Sequence, residues 1–146
     1  MIEKFQGRDG KPQLMDALRR QFLVDGSNDI SERIASDMML REYPAGEAIF
    51  KQGERGSDLC LILHGTVSIL VDSSEVAVVK AGMHVGEIGM LEPFKGRTAT
   101  VLSKETVVAA HVTQTRFSEM AKAFPELWRR LALELGHRLA SSQRRG

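Results

Sequence analysis

The chain has 146 residues, enough for one domain that removes roughly two-thirds of its unfolded surface from water. Hydrophobic residues make up 42% and charged residues 27%, and the net charge of +1 provides no field to hold nucleic acid or an anionic membrane non-specifically. Glu3 and Asp9, with no apolar run behind them, argue against a signal peptide, and no stretch reaches the about 20 apolar residues of a membrane span. Cys60, the single cysteine, cannot form an internal disulfide, so a reducing cytoplasm is the expected compartment. The helical pattern runs into Arg144-Arg145-Gly146 without a stop signal, which leads us to expect a longer parent chain.

Residues 12–39 carry helical spacing, with Leu14, Ala17, Leu18, Phe22 and Leu23 recurring on one face. Asp25-Gly26-Ser27-Asn28 breaks the pattern, and Asp29 or Ser31 is expected to cap a second short helix holding Ile30, Ile34 and Met38. From 40 to 113 the helical period stops. Short β-rich runs at 48–51, 59–64, 66–71, 76–81, 98–102 and 107–112 are separated by turns such as Pro44-Ala45-Gly46, Gln52-Gly53, His64-Gly65 and Asp72-Ser73-Ser74. Strands at this spacing suggest a sandwich or barrel rather than a parallel sheet. Helix returns over 115–143: a short one from Thr115 to Met120, then a longer one with Pro125 in its first turn. Leu127, Leu131, Leu135 and Leu139 recur every fourth residue along it, a stripe for the core or for a dimer seam.

Residues 84–101 carry the chemistry. A strand ends at Gly86, the carboxylate of Glu87 follows, and an apolar turn of helix leads into a loop with Pro93 and Gly96 before Arg97 opens the next strand. Glycines let backbone N–H groups approach a ligand, and a helix start offers unpaired donors that suit a phosphate. Arginine adds a planar, permanently charged donor for phosphate oxygens. A carboxylate accepts from sugar hydroxyls and repels a phosphate at close range. The segment therefore suits a ligand with one phosphate at one end and a ribose hydroxyl at the other, as in a 3′,5′-cyclic nucleotide.

This segment resembles the phosphate-binding cassette of the cyclic nucleotide-binding domain family. The ten-residue step from Glu87 to Arg97, and Gly89, are most similar to the catabolite activator branch. Upstream, Tyr43-Pro44-Ala45-Gly46-Glu47, Ile49-Phe50-Lys51-Gln52-Gly53 and Leu61-Ile62-Leu63-His64-Gly65 resemble the family's first glycine-punctuated strands. The resemblance implies an α+β fold: an eight-stranded antiparallel β-roll, jelly-roll-like, flanked by N-terminal helices and two C-terminal helices. It divides the chain into an N-terminal helical segment, 1–39, and a cyclic nucleotide-binding domain, 40–146, with the roll at 40–113 and the C-terminal helices at 115–143. By the same resemblance, Glu87 takes the ribose 2′-hydroxyl and Arg97 the cyclic phosphate. Gly86, Ile88 and Gly89 line the pocket through their backbone, and Thr98 touches the phosphate. Val85, Leu70 and Val71 form apolar walls, and Ser142 and Gln143 on the terminal helix reach the base. Gly96 stands where many members have proline, Val85 where an aromatic is common, and Cys60 where many carry tyrosine. These departures bear on the base pocket, and the base stays open.

Other readings compete. Glu87 and Arg97 taken alone would be a surface salt bridge. A β-roll also suits a cupin-like metalloenzyme, but His64, His84, His111 and His137 form no ligand pair, and His84 with Glu87 lacks a third ligand. A degenerate member that only dimerises would not keep Glu87 and Arg97. Cys60 is expected as a buried core residue and not as a nucleophile. The expected role is thus a regulatory sensor without catalysis of its own, needing no cofactor or metal. Its ligand is a cyclic mononucleotide, and it signals through its terminal helix to a second subunit or a fused effector domain. The layout resembles the sensor half of bacterial anti-phage effectors, in which a domain such as a TIR NAD hydrolase is attached.

Overall fold

The structure is a computed structural model that describes residues 1–92 and 95–145, with side chains through Ser141. A 3₁₀ turn, Ile2–Phe5, leads into α1 (Gly7–Arg19) and α2 (Asn28–Asp37). Eight strands follow: β1 (Met39–Tyr43), β2 (Ala48–Phe50), β3 (Leu59–His64), β4 (Thr66–Val71), β5 (Ser74–Lys80), β6 (His84–Val85), β7 (Thr100–Ser103) and β8 (Val107–Val112). The five-residue α3 (Glu87–Leu91) interrupts them, and α4 (Gln114–Ala123) and α5 (Glu126–Arg145) close the chain. The strands form two four-stranded antiparallel sheets, ordered β1-β8-β3-β6 and β2-β7-β4-β5. The eight-stranded roll with helices at both ends is as expected.

One sheet builds two cores. Side chains alternate across a strand, so Leu59, Leu61 and Leu63 of β3 face the helices while Cys60 and Ile62 face the opposite sheet. On β8, Val108, Ala110 and Val112 join the helical core, and Val107 and Ala109 join the roll core. Burial on both faces is why these strands read as unbroken apolar runs. Leu14 and Leu18 of α1, Ile30 and Ile34 of α2, Phe117 and Met120 of α4, and Leu127 and Leu131 of α5 complete the helical layer.

Several boundaries differ from expectation. Helix α1 begins at Gly7, and Phe22 and Leu23 lie in a turn packed on the roll, where Phe22 N–H donates to the Gly82 carbonyl at 2.8 Å. Ser27 caps α2, accepting from Ile30 N–H at 3.1 Å, in place of Asp29 or Ser31; the Ser31 hydroxyl instead donates back to the Ser27 carbonyl. Strand β1 carries the exposed Arg41 and Glu42 at a sheet edge, and β6 spans two residues, so neither leaves a pattern long enough to read. Thr98 lies in the loop before β7 rather than in the strand. The leucine stripe of α5 divides: Leu127 and Leu131 are buried, Leu135 is half-buried and Leu139 is 61% exposed.

His84 pairs with Leu61 across β6 and β3, which turns its ring toward the helical layer. It is wholly buried, and neither ring nitrogen has a hydrogen-bond partner. Burial, with the Arg138 charge adding to it, pushes its pKa down to about 3. The folded state therefore holds the ring neutral, while the unfolded chain takes up a proton below about 6.5. The stability His84 permits is full above that value and is lost as pH falls toward about 3. Urea denaturation near neutrality and again midway through this window is expected to show a loss in the native protein. His84→Leu should reduce that loss, and equal losses in both proteins would contradict the assignment.

Candidate ligand-binding site

A cavity of about 1030 Å³ opens between the second sheet, α3 and the last turns of α5. Its lining brings together Val85, Gly86, Glu87, Ile88, Gly89, Arg97 and Thr98, seven of the residues singled out in the sequence. Ile69 forms the apolar wall from β4, and Leu70 and Val71 do not reach the cavity. Ile69 packs on the roll core, so strand alternation turns Leu70 to the other face, and Val71 lies at the strand end. Val76, Val78 and Val79 on β5 continue the wall. Ser142 and Gln143 lie outside the residues whose side chains are described; from α5 the lining takes Glu134, His137, Arg138 and Ser141.

Gly86 ends β6 at φ +90°, a left-handed conformation that favours glycine, and sets the chain into α3. A Cβ there would also lie 2.6 Å from the Asp58 carbonyl oxygen. Ile88 and Gly89 follow in the first turn of α3, whose amides have no acceptor within the helix. The Arg97 guanidinium lies across this turn, 3.7 Å above the centre of the Phe50 ring. It donates to the Gly86 carbonyl at 3.2 Å and the Asp58 carbonyl at 3.1 Å. The Arg97 backbone is bonded to both Gly53 and Glu54, so the 52–58 loop frames the arginine from behind. Gly89 is required by close approach: a Cβ would stand 2.5 Å from an Arg97 terminal nitrogen and 2.8 Å from the Gly56 carbonyl oxygen.

Glu87 and Arg97 do not pair with each other. Arg97 is 6% exposed and Glu87 4%, and both line the cavity, which sets aside the surface salt bridge. Burial lowers the Arg97 pKa; nearby acids, Asp58 foremost among them, oppose the shift. Burial raises the Glu87 pKa, with the Arg138 charge as the largest opposing influence. Two buried polar atoms here have no partner: Arg97 Nε and Glu87 Oε2. One is a cationic donor and the other an acceptor.

Several contributors were not singled out from sequence. Asp58 acts through its carbonyl, which no side-chain pattern reveals. Phe50 was read as part of a strand motif and not as the platform for Arg97. Arg138 binds Glu134 at i,i+4, a pattern that reads as a solvated helix pair, and the burial of Glu134 is a tertiary fact. Behind Arg97, Tyr43 Oη lies 2.8 Å from His111 Nε2 and Cys60 is fully buried. Burial pushes the tyrosine pKa up to about 12 and the thiol pKa upward as well, so Cys60 is an unreactive core residue.

The sequence profile of the cyclic nucleotide-binding domain family matches residues 40–124. The chain belongs to this family. It is 37% identical over 140 residues to the Pycsar effector protein XpPycTIR of Xanthomonas perforans, covering 96% of this chain and 46% of that one. It is 26% identical over 113 residues to the cAMP-activated global transcriptional regulator CRP of Escherichia coli, covering 74% of this chain and 54% of that one. The chain thus spans about half the length of these curated relatives. The fold matches the catabolite activator protein of Thermus thermophilus with a TM-score of 0.75 at 23% identity, covering 84% of this chain and 60% of that one.

Gly89→Ala tests the close packing under Arg97. Because the nearest neighbours are a backbone carbonyl and the guanidinium itself, overpacking should cost about 1–3 kcal/mol. Chemical denaturation at neutral pH measures it, and an unchanged midpoint would contradict the packing described.

Proposed function

We propose that this chain is a regulatory sensor that binds a 3′,5′-cyclic nucleotide in the cavity between α3, the second sheet and α5. The observation that carries this reading is that one cavity is lined by two buried, oppositely charged side chains that do not pair with each other, Arg97 and Glu87, each with a polar atom lacking a partner. A buried polar atom without a partner is costly, so the fitting ligand brings an anionic acceptor to one and a hydroxyl donor to the other. A cyclic phosphate fused to a ribose with a free 2′-hydroxyl does both. The amides of Ile88 and Gly89 and the Thr98 hydroxyl add donors around the phosphate, Gly86 permits its approach, and Val85 and Ile69 close the apolar side. The base then lies toward β5 and α5, where Val78 and the polar His137 and Ser141 wait.

In this reading the chain binds and does not turn over its ligand. It holds the ligand with its own residues and needs no cofactor, and binding favours one arrangement of α5. An attached effector domain or a second copy of the chain reads that arrangement. Similarity across almost the whole chain to a protein named a Pycsar effector supports a place in anti-phage defence with an attached output domain.

Isothermal titration with cAMP, cGMP, cUMP and cCMP is expected to give binding by at least one, and silence across the panel would sink the proposal. Arg97→Ala should weaken that binding roughly ten- to hundredfold, the cost of losing a charge-assisted bond to the phosphate. Glu87→Ala should weaken a ribonucleotide more than its 2′-deoxy counterpart. If both lose equally, Glu87 has no part in holding the sugar.

A further inference from the structure

The groups that hold Arg97 trace back to His111 on β8. Arg97 rests on the Asp58 carbonyl, the Gly86 carbonyl and the Phe50 ring. His111 meets two of the residues that supply these supports. Its Nδ1 stands 3.4 Å from Asp58 Oδ2, and its ring approaches Phe50 edge-on at 6.2 Å. The imidazole is itself pinned, with Nε2 2.8 Å from Tyr43 Oη and 3.8 Å from Cys60 Sγ. Tyr43, Cys60 and His111 are all buried.

Strand pairing sets this cluster. His111 lies opposite Cys60 where β8 meets β3, and Tyr43 reaches it from β1 on the other side of β8. Asp58 comes two residues before Cys60, which turns its side chain to the same face. The β3–β8 pairing ends at Leu59 and Val112, so Asp58 lies in the loop, where the sheet no longer fixes its peptide plane. The contact with His111 is foremost in holding the Asp58 carboxyl below the usual carboxylate range; the Arg97 and Arg41 charges add to it and burial opposes it. Asp58 is thus tied to β8 through its side chain and to Arg97 through its carbonyl. A second cavity, of about 420 Å³, also takes Arg97 into its lining, with Tyr43, Asp58 and His111. The guanidinium therefore borders open space on more than one front, and its holders set its direction.

We propose that His111 is a positioning residue for Arg97: it ties the Asp58 carboxylate to the Tyr43 hydroxyl and so fixes the Asp58 carbonyl, and with it the guanidinium, in the direction a phosphate needs. This rests on the ligand reading above. His111 does not line the ligand cavity, so its influence passes through Asp58 and Phe50. A carbonyl turns with its peptide plane, and a side-chain tie on the same residue limits that turn. An arginine set in place before the ligand arrives loses less freedom on binding, which favours affinity.

Two conservative replacements separate positioning from packing. The amide nitrogen of asparagine stands near the place of Nδ1 and faces Asp58, whereas that of the larger glutamine stands near Nε2 and faces Tyr43. In the ligand-free protein, NMR of the Arg97 Nε–H, identified by its absence in Arg97→Lys, is the first readout. In His111→Gln this signal should lose exchange protection and move toward that of a free arginine, and in His111→Asn it should stay close to native. Asp58→Ala, which keeps the backbone carbonyl, should reproduce the His111→Gln change. The second readout is titration with whichever cyclic nucleotide of the panel the native protein binds. His111→Gln should weaken binding about three- to tenfold, and adding Asp58→Ala to it should cost little more. An Arg97 signal unmoved in Asp58→Ala would overturn the proposal, whatever the His111 variants do. A signal better kept by glutamine than by asparagine would make His111 a packing residue, and losses that add in the double variant would separate it from Asp58; either result overturns the proposal. A native protein silent across the panel would overturn the ligand reading, and the Arg97 signal would still decide the role of His111.

Discussion

The site depends on keeping two opposite charges, Arg97 and Glu87, buried in the lining of one cavity without letting them pair. A buried ion is tolerated only when other groups solvate it. Arg97 is solvated by two backbone carbonyls and the face of Phe50, and Glu87 by Arg138. Each is held by other groups, and each keeps one buried polar atom without a partner. Had Arg97 and Glu87 paired directly, the charges would cancel, and the proposed recruitment of a phosphate and a hydroxyl would have no basis.

The fold supplies this arrangement by making α3 and the loop before β7 converge on one sheet edge. Gly86 turns the chain out of β6, α3 presents its first turn, and the 52–58 loop braces Arg97 from behind through its own backbone. In the first sheet, β3, which pairs with β6, and β8 are buried on both faces. Among the described residues of the outer half of α5, Arg138 makes charged contacts to Glu134 and Glu87, and His137 sets its edge on Phe22.

Much of this was legible in the sequence. Strands β3, β4 and β8 read correctly to the residue, and for β3 and β8 the reason is that a sheet with helices on one face and a second sheet on the other needs continuous apolar runs. The cassette read correctly as a unit because glycine, carboxylate and arginine are tied to its local geometry. The rest depends on tertiary position. Leu70 and Val71 were assigned to a wall that Ile69 forms, a one-residue matter of which way a strand faces. The cap of α2 moved from Asp29 or Ser31 to Ser27 because three polar residues in succession offer equivalent oxygens. Arg138 could not be distinguished from its exposed neighbours on α5 until the helix was laid against Glu87.

The most direct measurement is a crystal structure of the protein with a bound cyclic nucleotide. The account places the ring phosphate within hydrogen-bond distance of the Arg97 guanidinium and the ribose 2′-hydroxyl on the Glu87 carboxylate, with the base toward α5. A ligand seated elsewhere, or a phosphate remote from Arg97 with Glu87 unengaged, would contradict it.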